Sequence, residues 1–225
     1  MEIVPNVHLI RSGFVNQYLI MDGDGLTLID AGLARRGRGI LKAIDRLGHA
    51  PQDLRRILVT HADEDHAGGL AALQAASGAR VYASPIEAEA LAAGRSSRDV
   101  KLNGLRGLFL AVMSPWFNVT PVVVDETLTD GQILPVLRGL QVVTTPGHTP
   151  GHISLFAPTA GLLFTGDSLV ANGDQLIPSR EMYTWDMAQA LESVKKQAAL
   201  GATIVCPAHG PVIREAAGKF PELGG

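Results

Sequence analysis

The sequence predicts an α/β protein whose strands and helices pack together as one unit. Short apolar runs bounded by Gly, Asp, Asn or Pro recur in the first third and again from residue 121 onward, and stretches with helical apolar spacing stand between and after them. No Pro/Gly/Ser-rich linker separates the two halves, and no low-complexity tract or short repeat appears. At 225 residues, 46% of them hydrophobic, the chain can bury a sizeable core. A single domain over residues 1–225 is the expectation.

Taken in order, VHLI (7–10), NQYLIM (16–21) and LTLID (26–30) predict a strand meander, with the turn signal DGDG at 22–25 between the last two. Residues 33–48 place Leu41, Ile44 and Leu47 at helical spacing before Gly48, which predicts an amphipathic helix. ILVT (57–60) reads as a strand, 68–77 as a helix and RVYA (80–83) as a strand. In the second half PVVVDETL, QILPVL, LQVVTT, HISLFA and GLLFTG read as strands, 186–200 as a helix and TIVCPA (203–208) as a final strand.

Between the halves, at about 94–120, Leu105, Leu108, Phe109, Val112, Met113, Trp116 and Phe117 form an apolar stripe at helix-like intervals. A core-facing helix, a substrate-pocket wall and a homodimer contact all satisfy that pattern.

Charge and composition exclude several classes. A formal net charge of −3, with no Lys/Arg run beyond two residues, lacks the footprint of a nucleic-acid or anionic-membrane binder. The single cysteine, Cys206, excludes an internal disulfide framework and a cysteine-rich zinc site, and on an apolar strand it reads as a small buried hydrophobe. The opening MEIVPNVHLI lacks a basic region followed by an apolar core, and no run approaches the length of a membrane span, so a cytoplasmic protein with a small-molecule substrate is expected.

The chemistry concentrates at strand ends. His61 and His66 lie in THADEDHAGG after ILVT, His148 in TTPGHTPGH after LQVV, Asp167 after LLFTG, and His209 in CPAHG after TIVCPA. His148, Asp167 and His209 stand directly beside Gly, and Gly68-Gly69 follow His66 closely, which lets the backbone turn. Neutral imidazoles and ionised carboxylates converging from rigid elements are what a metal site needs. His61 and Asp63, two apart, share one side of an extended backbone, whereas Asp65 and His66 lie beyond the bend; that arrangement suits two neighbouring ions.

HADEDH (61–66), GHTPGH (147–152), TGD (165–167) and AHG (208–210), preceded by LIDAG (28–32), resemble the ordered signature of the metallo-β-lactamase-fold hydrolase superfamily over residues 28–210. The resemblance implies a four-layer αββα sandwich with a dinuclear centre at one edge of its two sheets. It implies that His61 and His148 hold a first divalent ion, that Asp65, His66 and His209 hold a second, and that Asp167 bridges them. Two such ions, zinc by default, share a hydroxide, which Asp65 also orients, and polarise the scissile group. Hydrolysis of an ester, thioester, lactone or related acyl bond is the implied activity.

Asp63 departs from the pattern, whose commonest form has histidine there. As a ligand it brings a third carboxylate, so that with one hydroxide the charges of two divalent ions are balanced, whereas histidine would leave one positive charge. A harder first site would move metal preference from zinc toward Mn²⁺ or Fe²⁺. A non-haem iron oxidoreductase of the same fold and a metal-binding sensor are the alternatives. Asp30 reads as a carboxylate orienting a ligand histidine through its other ring nitrogen, and His152 as supporting or packing rather than ligating. Glu64 is expected in solvent, and His8 and His49 have no ligand-like context. Substrate contacts are open, with Phe109, Met113, Trp116, Phe117, Arg180 and Tyr183 as candidates and Trp185 nearby.

Overall fold

A computed structural model describes residues 1–34, 37–98 and 119–221. The predicted stripe, with Phe109, Met113, Trp116 and Phe117, lies outside the described residues. The opening meander comprises β1 (Glu2–Val4), β2 (Val7–Ser12), β3 (Val15–Asp22) and β4 (Gly25–Ile29), paired antiparallel in sequence order. It continues in parallel through β5 (Leu54–Leu58), β6 (Arg80–Ala83) and β7 (Glu126–Thr127), making a seven-stranded sheet. The parallel crossovers carry α1 (Gly37–Arg46), then α2 (Glu64–Ala67) and α3 (Leu70–Ser77), then α4 (Pro85–Ala92).

The second sheet contains β8 (Ile133–Leu134), β9 (Leu140–Thr144), β10 (Ile153–Ala157), β11 (Leu162–Gly166), β14 (Ile204–Pro207) and β15 (Ile213–Arg214). Its order is β15-β14-β11-β10-β9-β8; β11 and β14 run parallel and the other neighbours antiparallel. Between β11 and β14 the chain forms a two-stranded ribbon, β12 (Leu169–Asn172) and β13 (Gln175–Pro178), followed by α5 (Met187–Ala198).

The alternation of β-strand side chains sorts the core into layers. Tyr18, Ile20, Ile29, Leu58 and Tyr82 from the first sheet meet Val142, Ile153, Leu155, Phe164 and Cys206 from the second, so the sheets pack face to face. On the outer face of the first sheet, Leu19, Leu28, Ile57, Val59 and Val81 pack on Ile40 and Ile44 of α1, Leu70 and Leu73 of α3, and Leu91 of α4. Val143, Phe156, Leu163 and Val205 on the other outer face pack on Val194 of α5. The result is the αββα sandwich.

The structure departs from the predicted elements in detail. The helix expected over 68–77 begins at Leu70, after Gly68 and Gly69, and PVVVDETL and QILPVL form two-residue strands only. The structure adds β1, β12, β13, β15, the single-turn α2 and α4. α4 carried a legible signal: Pro85 opens it, and Ser84 caps it by accepting a hydrogen bond from the Glu87 amide at 3.3 Å.

Candidate metal centre

Five strands from both sheets deliver the ligand-type residues from their carboxyl ends. Asp30 follows β4, His61 follows β5, His148 follows β9, Asp167 follows β11 and His209 follows β14. Across this edge the Ile153 amide donates to the Thr60 carbonyl at 3.1 Å, tying the two sheets together. Asp63, in extended conformation, N-caps α2, and the following turn of helix brings His66 back beside Asp30.

Among the described residues three clusters emerge, each with ligand atoms within 4.8 Å of one another: His61, Asp63 and His148; Asp65, His66 and His209; and His61, His66 and Asp167. Asp63 Oδ2 lies 3.6 Å from His61 Nε2 and 3.4 Å from His148 Nε2. Asp65 Oδ2 lies 3.4 Å from His209 Nε2 and 3.9 Å from His66 Nε2. Asp167 faces both groups: Oδ1 is 3.2 Å from His66 Nε2 and from His209 Nε2, and Oδ2 is 3.6 Å from His148 Nε2.

The Nε2 atoms of His61, His66 and His148 and the Oδ1 of Asp167 are buried without a hydrogen-bond partner. Orphaned buried polar atoms are costly, and four of them converging around one volume is what a cation would satisfy. Each imidazole has its other nitrogen occupied. His66 Nδ1 donates to Asp30 Oδ2 at 2.8 Å, and His209 Nδ1 to the Phe14 carbonyl at 3.1 Å. His148 Nδ1 lies 3.1 Å from Ser179 Oγ. Thr60 Oγ1 donates to Asp30 Oδ2 at 2.9 Å, leaving its lone pair to accept from His61 Nδ1 at 3.0 Å. With Nδ1 holding its proton in each ring, Nε2 is the nitrogen that all four would turn to a cation at the centre.

Asp30 performs this work at φ 60°, a conformation rarely adopted by a residue with a Cβ and characteristic of sites where geometry is imposed. His152 has the reverse arrangement: its Nε2 accepts from the Asp167 amide at 3.1 Å and its Nδ1 lies 2.8 Å from Thr145 Oγ1. It therefore fixes the Asp167 backbone. Burial drives its pKa well below that of free imidazole, keeping the ring neutral. Burial opposes ionisation of Asp167, but His66, His209 and His148 prevail and hold its carboxyl well below the usual range. Burial likewise disfavours the charged form of His209, yet the Asp167 and Asp65 carboxylates beside its Nε2 lift its pKa to about 10, so that Nε2 holds a proton which a bound cation would displace.

Asp63 has two partners that the sequence pattern did not reveal. Arg98 Nη2 donates to its Oδ2, and Ser96 Oγ to its Oδ1, each at 2.5 Å. Arg98 also donates through Nη1 to the Tyr183 carbonyl. The guanidinium returns one positive charge to the cluster. Asp63 paired with Arg98 thus carries the formal charge that a neutral histidine would carry there.

The chain matches the family model of the metallo-beta-lactamase superfamily over residues 10–209. It belongs to that superfamily. As a member it is a metal-dependent hydrolase, and several of its relatives bear hydrolase names. The probable metallo-hydrolase YflN of Bacillus subtilis is 28% identical over 93% of this chain and 85% of its own length. A hydroxyacylglutathione hydrolase of Albidiferax ferrireducens is 33% identical over 93% of this chain but only 66% of its own. Among solved structures, a metallo-beta-lactamase of Cronobacter sakazakii with a HARLDQ motif superposes with TM-score 0.73 at 30% identity, covering 93% of this chain and 77% of that one.

Of the predicted substrate contacts in the described residues, Arg180 is exposed and Tyr183 is 51% exposed. Among the described residues two further aromatics flank the candidate centre. Phe14, 66% exposed on the β2–β3 turn, stacks on His209 with ring centroids 5.8 Å apart. Trp185, 45% exposed, donates its amide to the His148 carbonyl at 3.1 Å. Glu64 is half-buried rather than free in solvent. Among the described residues, no helix is long and apolar enough to cross a membrane.

Proposed function

We propose that this chain is a dinuclear metallohydrolase of acyl bonds, with His61, Asp63, His148 and Asp167 holding one divalent ion and Asp65, His66, His209 and Asp167 the other. The observation that carries the reading is the set of unpartnered Nε2 atoms of His61, His66 and His148, converging on Asp167. When bound, two divalent ions lower the pKa of a shared water and polarise the scissile carbonyl.

The remaining work falls to the chain. Asp30, Thr60, Ser179 and the Phe14 carbonyl fix the imidazole tautomers. Asp65, half-buried where Asp63 and Asp167 are buried, has the access to solvent needed to orient the attacking water and take its proton. Phe14, Tyr183 and Trp185 supply apolar surface beside the centre for the acyl substituent. Hydroxyacylglutathiones are thioesters, so the relatives of that name favour a thioester among the candidate bonds. Zinc is the default ion, because with Arg98 beside Asp63 the net charge equals that of an all-histidine first site. A cytosolic location accords with a lone, buried Cys206.

The test is a screen of thioesters, esters and lactones against protein reconstituted with Zn²⁺, Mn²⁺ or Fe²⁺. Turnover of one acyl class with two ions per chain is expected. Iron in the anaerobically purified protein together with oxygen consumption would replace the reading by the oxidoreductase alternative. Full metal occupancy without turnover of any substrate would replace it by the sensor.

A further inference from the structure

We propose that Glu87 is a positioning residue that sets the geometry of the His61–Asp63–His148 half of the metal centre. The proposal rests on the dinuclear reading above. Glu87 lies in α4, is 0% exposed, and has no ion-pair partner among the described residues. Its carboxylate is satisfied by four donors. Oε2 accepts from the Ala62 amide at 2.9 Å. Oε1 accepts from Thr149 Oγ1 at 2.6 Å, Ser97 Oγ at 2.7 Å and the Gly151 amide at 3.1 Å.

The positions of these donors in the chain give the contact its meaning. Ala62 lies between His61 and Asp63. Thr149 adjoins His148, with Gly151 two residues further on. Ser97 lies between Ser96 and Arg98, both of which bond the Asp63 carboxylate. One side chain therefore ties together the three segments that build this half-site, whereas none of its donors belongs to the Asp65–His66–His209 group.

The fit is tight as well as satisfied. A Cβ on Gly151 would lie 2.8 Å from Glu87 Oε1 and 2.7 Å from Ser84 Oγ, so the 147–152 loop approaches α4 as closely as it does only because residue 151 lacks one. Ser84 Oγ fixes the same loop by donating to the Gly151 carbonyl at 2.6 Å. A buried carboxylate is a costly way merely to fill space, since an apolar side chain would pack there without four donors to satisfy. Two acceptor oxygens, aimed at opposite loops, hold the distance between His61 and His148 from outside the metal shell.

Glu87→Gln separates positioning from bulk stability, because the side-chain volume is kept while one of the two acceptor oxygens becomes a donor. Zinc titration under chelator competition, with isotope-labelled imidazoles followed by NMR, reads each histidine separately. The expected result is that zinc uptake sensed by His61 and His148 weakens by about 10- to 100-fold, as loss of an outer partner of a metal site does, while uptake sensed by His66 and His209 is unchanged. Wild-type affinity at His61 and His148 would overturn the proposal. So would equal weakening of both halves in step with a lower melting temperature of the metal-free protein, since that is what a merely structural residue produces. If Glu87→Gln does not fold, Thr149→Val removes a single donor, and the same selective but smaller weakening is expected. A wild-type chain that takes up no zinc would remove the dinuclear reading and this proposal together, whereas two ions bound identically by wild type and variant would remove this proposal alone.

Discussion

A carboxylate at position 63 adds a negative charge beside His61 and His148, and the Arg98 guanidinium 2.5 Å away returns a positive one. The two substitutions that break this pairing should move activity in opposite directions. Asp63→His leaves Arg98 unmatched, so the attacking water ionises more readily and the pH–rate profile shifts to lower pH. Arg98→Met leaves the Asp63 charge uncompensated and shifts the profile to higher pH. Each shift should be on the order of one pH unit, the displacement a nearby full charge produces at a partly exposed site. The double variant should return close to the wild-type profile, and pH–rate curves of all four proteins at verified metal occupancy check the cycle. Coincident curves would mean that residue 63 does not influence the reacting centre. Asp167 serves both groups and Asp63 only one, so Asp167→Ala should reduce occupancy of both ions and Asp63→Ala of one. Elemental analysis after identical metal loading distinguishes the two variants, and equal stoichiometry would count against the bridging role.

Elements place these residues through backbone turns that tolerate little change. Gly166 ends β11 at φ +51°, and a Cβ there would come within 2.7 Å of His152 Nε2 and 2.8 Å of Thr60 Oγ1. Those two atoms hold the Asp167 amide and the His61 ring respectively. Gly166→Ala should therefore cost about 2–4 kcal/mol, from backbone strain and overpacking combined, and should weaken metal uptake as well. Thermal melts with and without zinc measure both effects; a variant of wild-type stability and occupancy would show that the turn has slack. The same dependence on neighbours explains which elements were legible in the chain. The meander, β5, β9, β10, β11 and α5 have enough period-2 or helical apolar pattern to announce themselves. PVVVDETL and QILPVL announce strands too, though only β7 and β8 form there, whereas β1 and β15 have two or three residues each and exist because a neighbouring strand offers them a ladder. The apolar pattern of α4 is ambiguous, since Ile86, Leu91 and the alanines of its short run fit helix and strand equally, and only Ser84-Pro85 marks its start.

At the scale of the whole molecule the two sheets meet through large apolar side chains, and the candidate metal centre closes one edge of that contact. Phe164 is fully buried there and packs edge-on against Tyr18 with centroids 5.1 Å apart. Phe164→Ala should destabilise the fold by about 3–5 kcal/mol, at about 2–4 °C of melting temperature per kcal/mol for a chain of this size. A loss below about 1 kcal/mol would mean that the sheet interface collapses around the gap. Because the candidate ligands come from both sheets, bound ions should brace the sandwich. Removing them with a chelator should lower the melting temperature, and restoring a divalent ion should recover it, with a stabilisation of about 2.7 kcal/mol at a hundredfold excess over the dissociation constant. A melting temperature indifferent to chelator in a metal-replete protein would contradict that role.

Residue type, order and strand-end context made the fold class and the candidate ligands legible before any coordinates, because a strand that ends in Gly or Pro beside His or Asp is a local pattern. The tautomer locks at Ser179 and the Phe14 carbonyl, the buried clamp at Glu87 and the pairing of Asp63 with Arg98 were not legible. Asp63 and Arg98 are 35 positions apart, Glu87 and Gly151 64, and His209 and Phe14 195. Nothing in the local sequence of either partner distinguishes a surface arginine from a counter-ion, or a helix-cap glutamate from a buried clamp. Hydrogen bonds and charge compensation depend on distances of a few ångströms, and those distances exist only once the two sheets have packed.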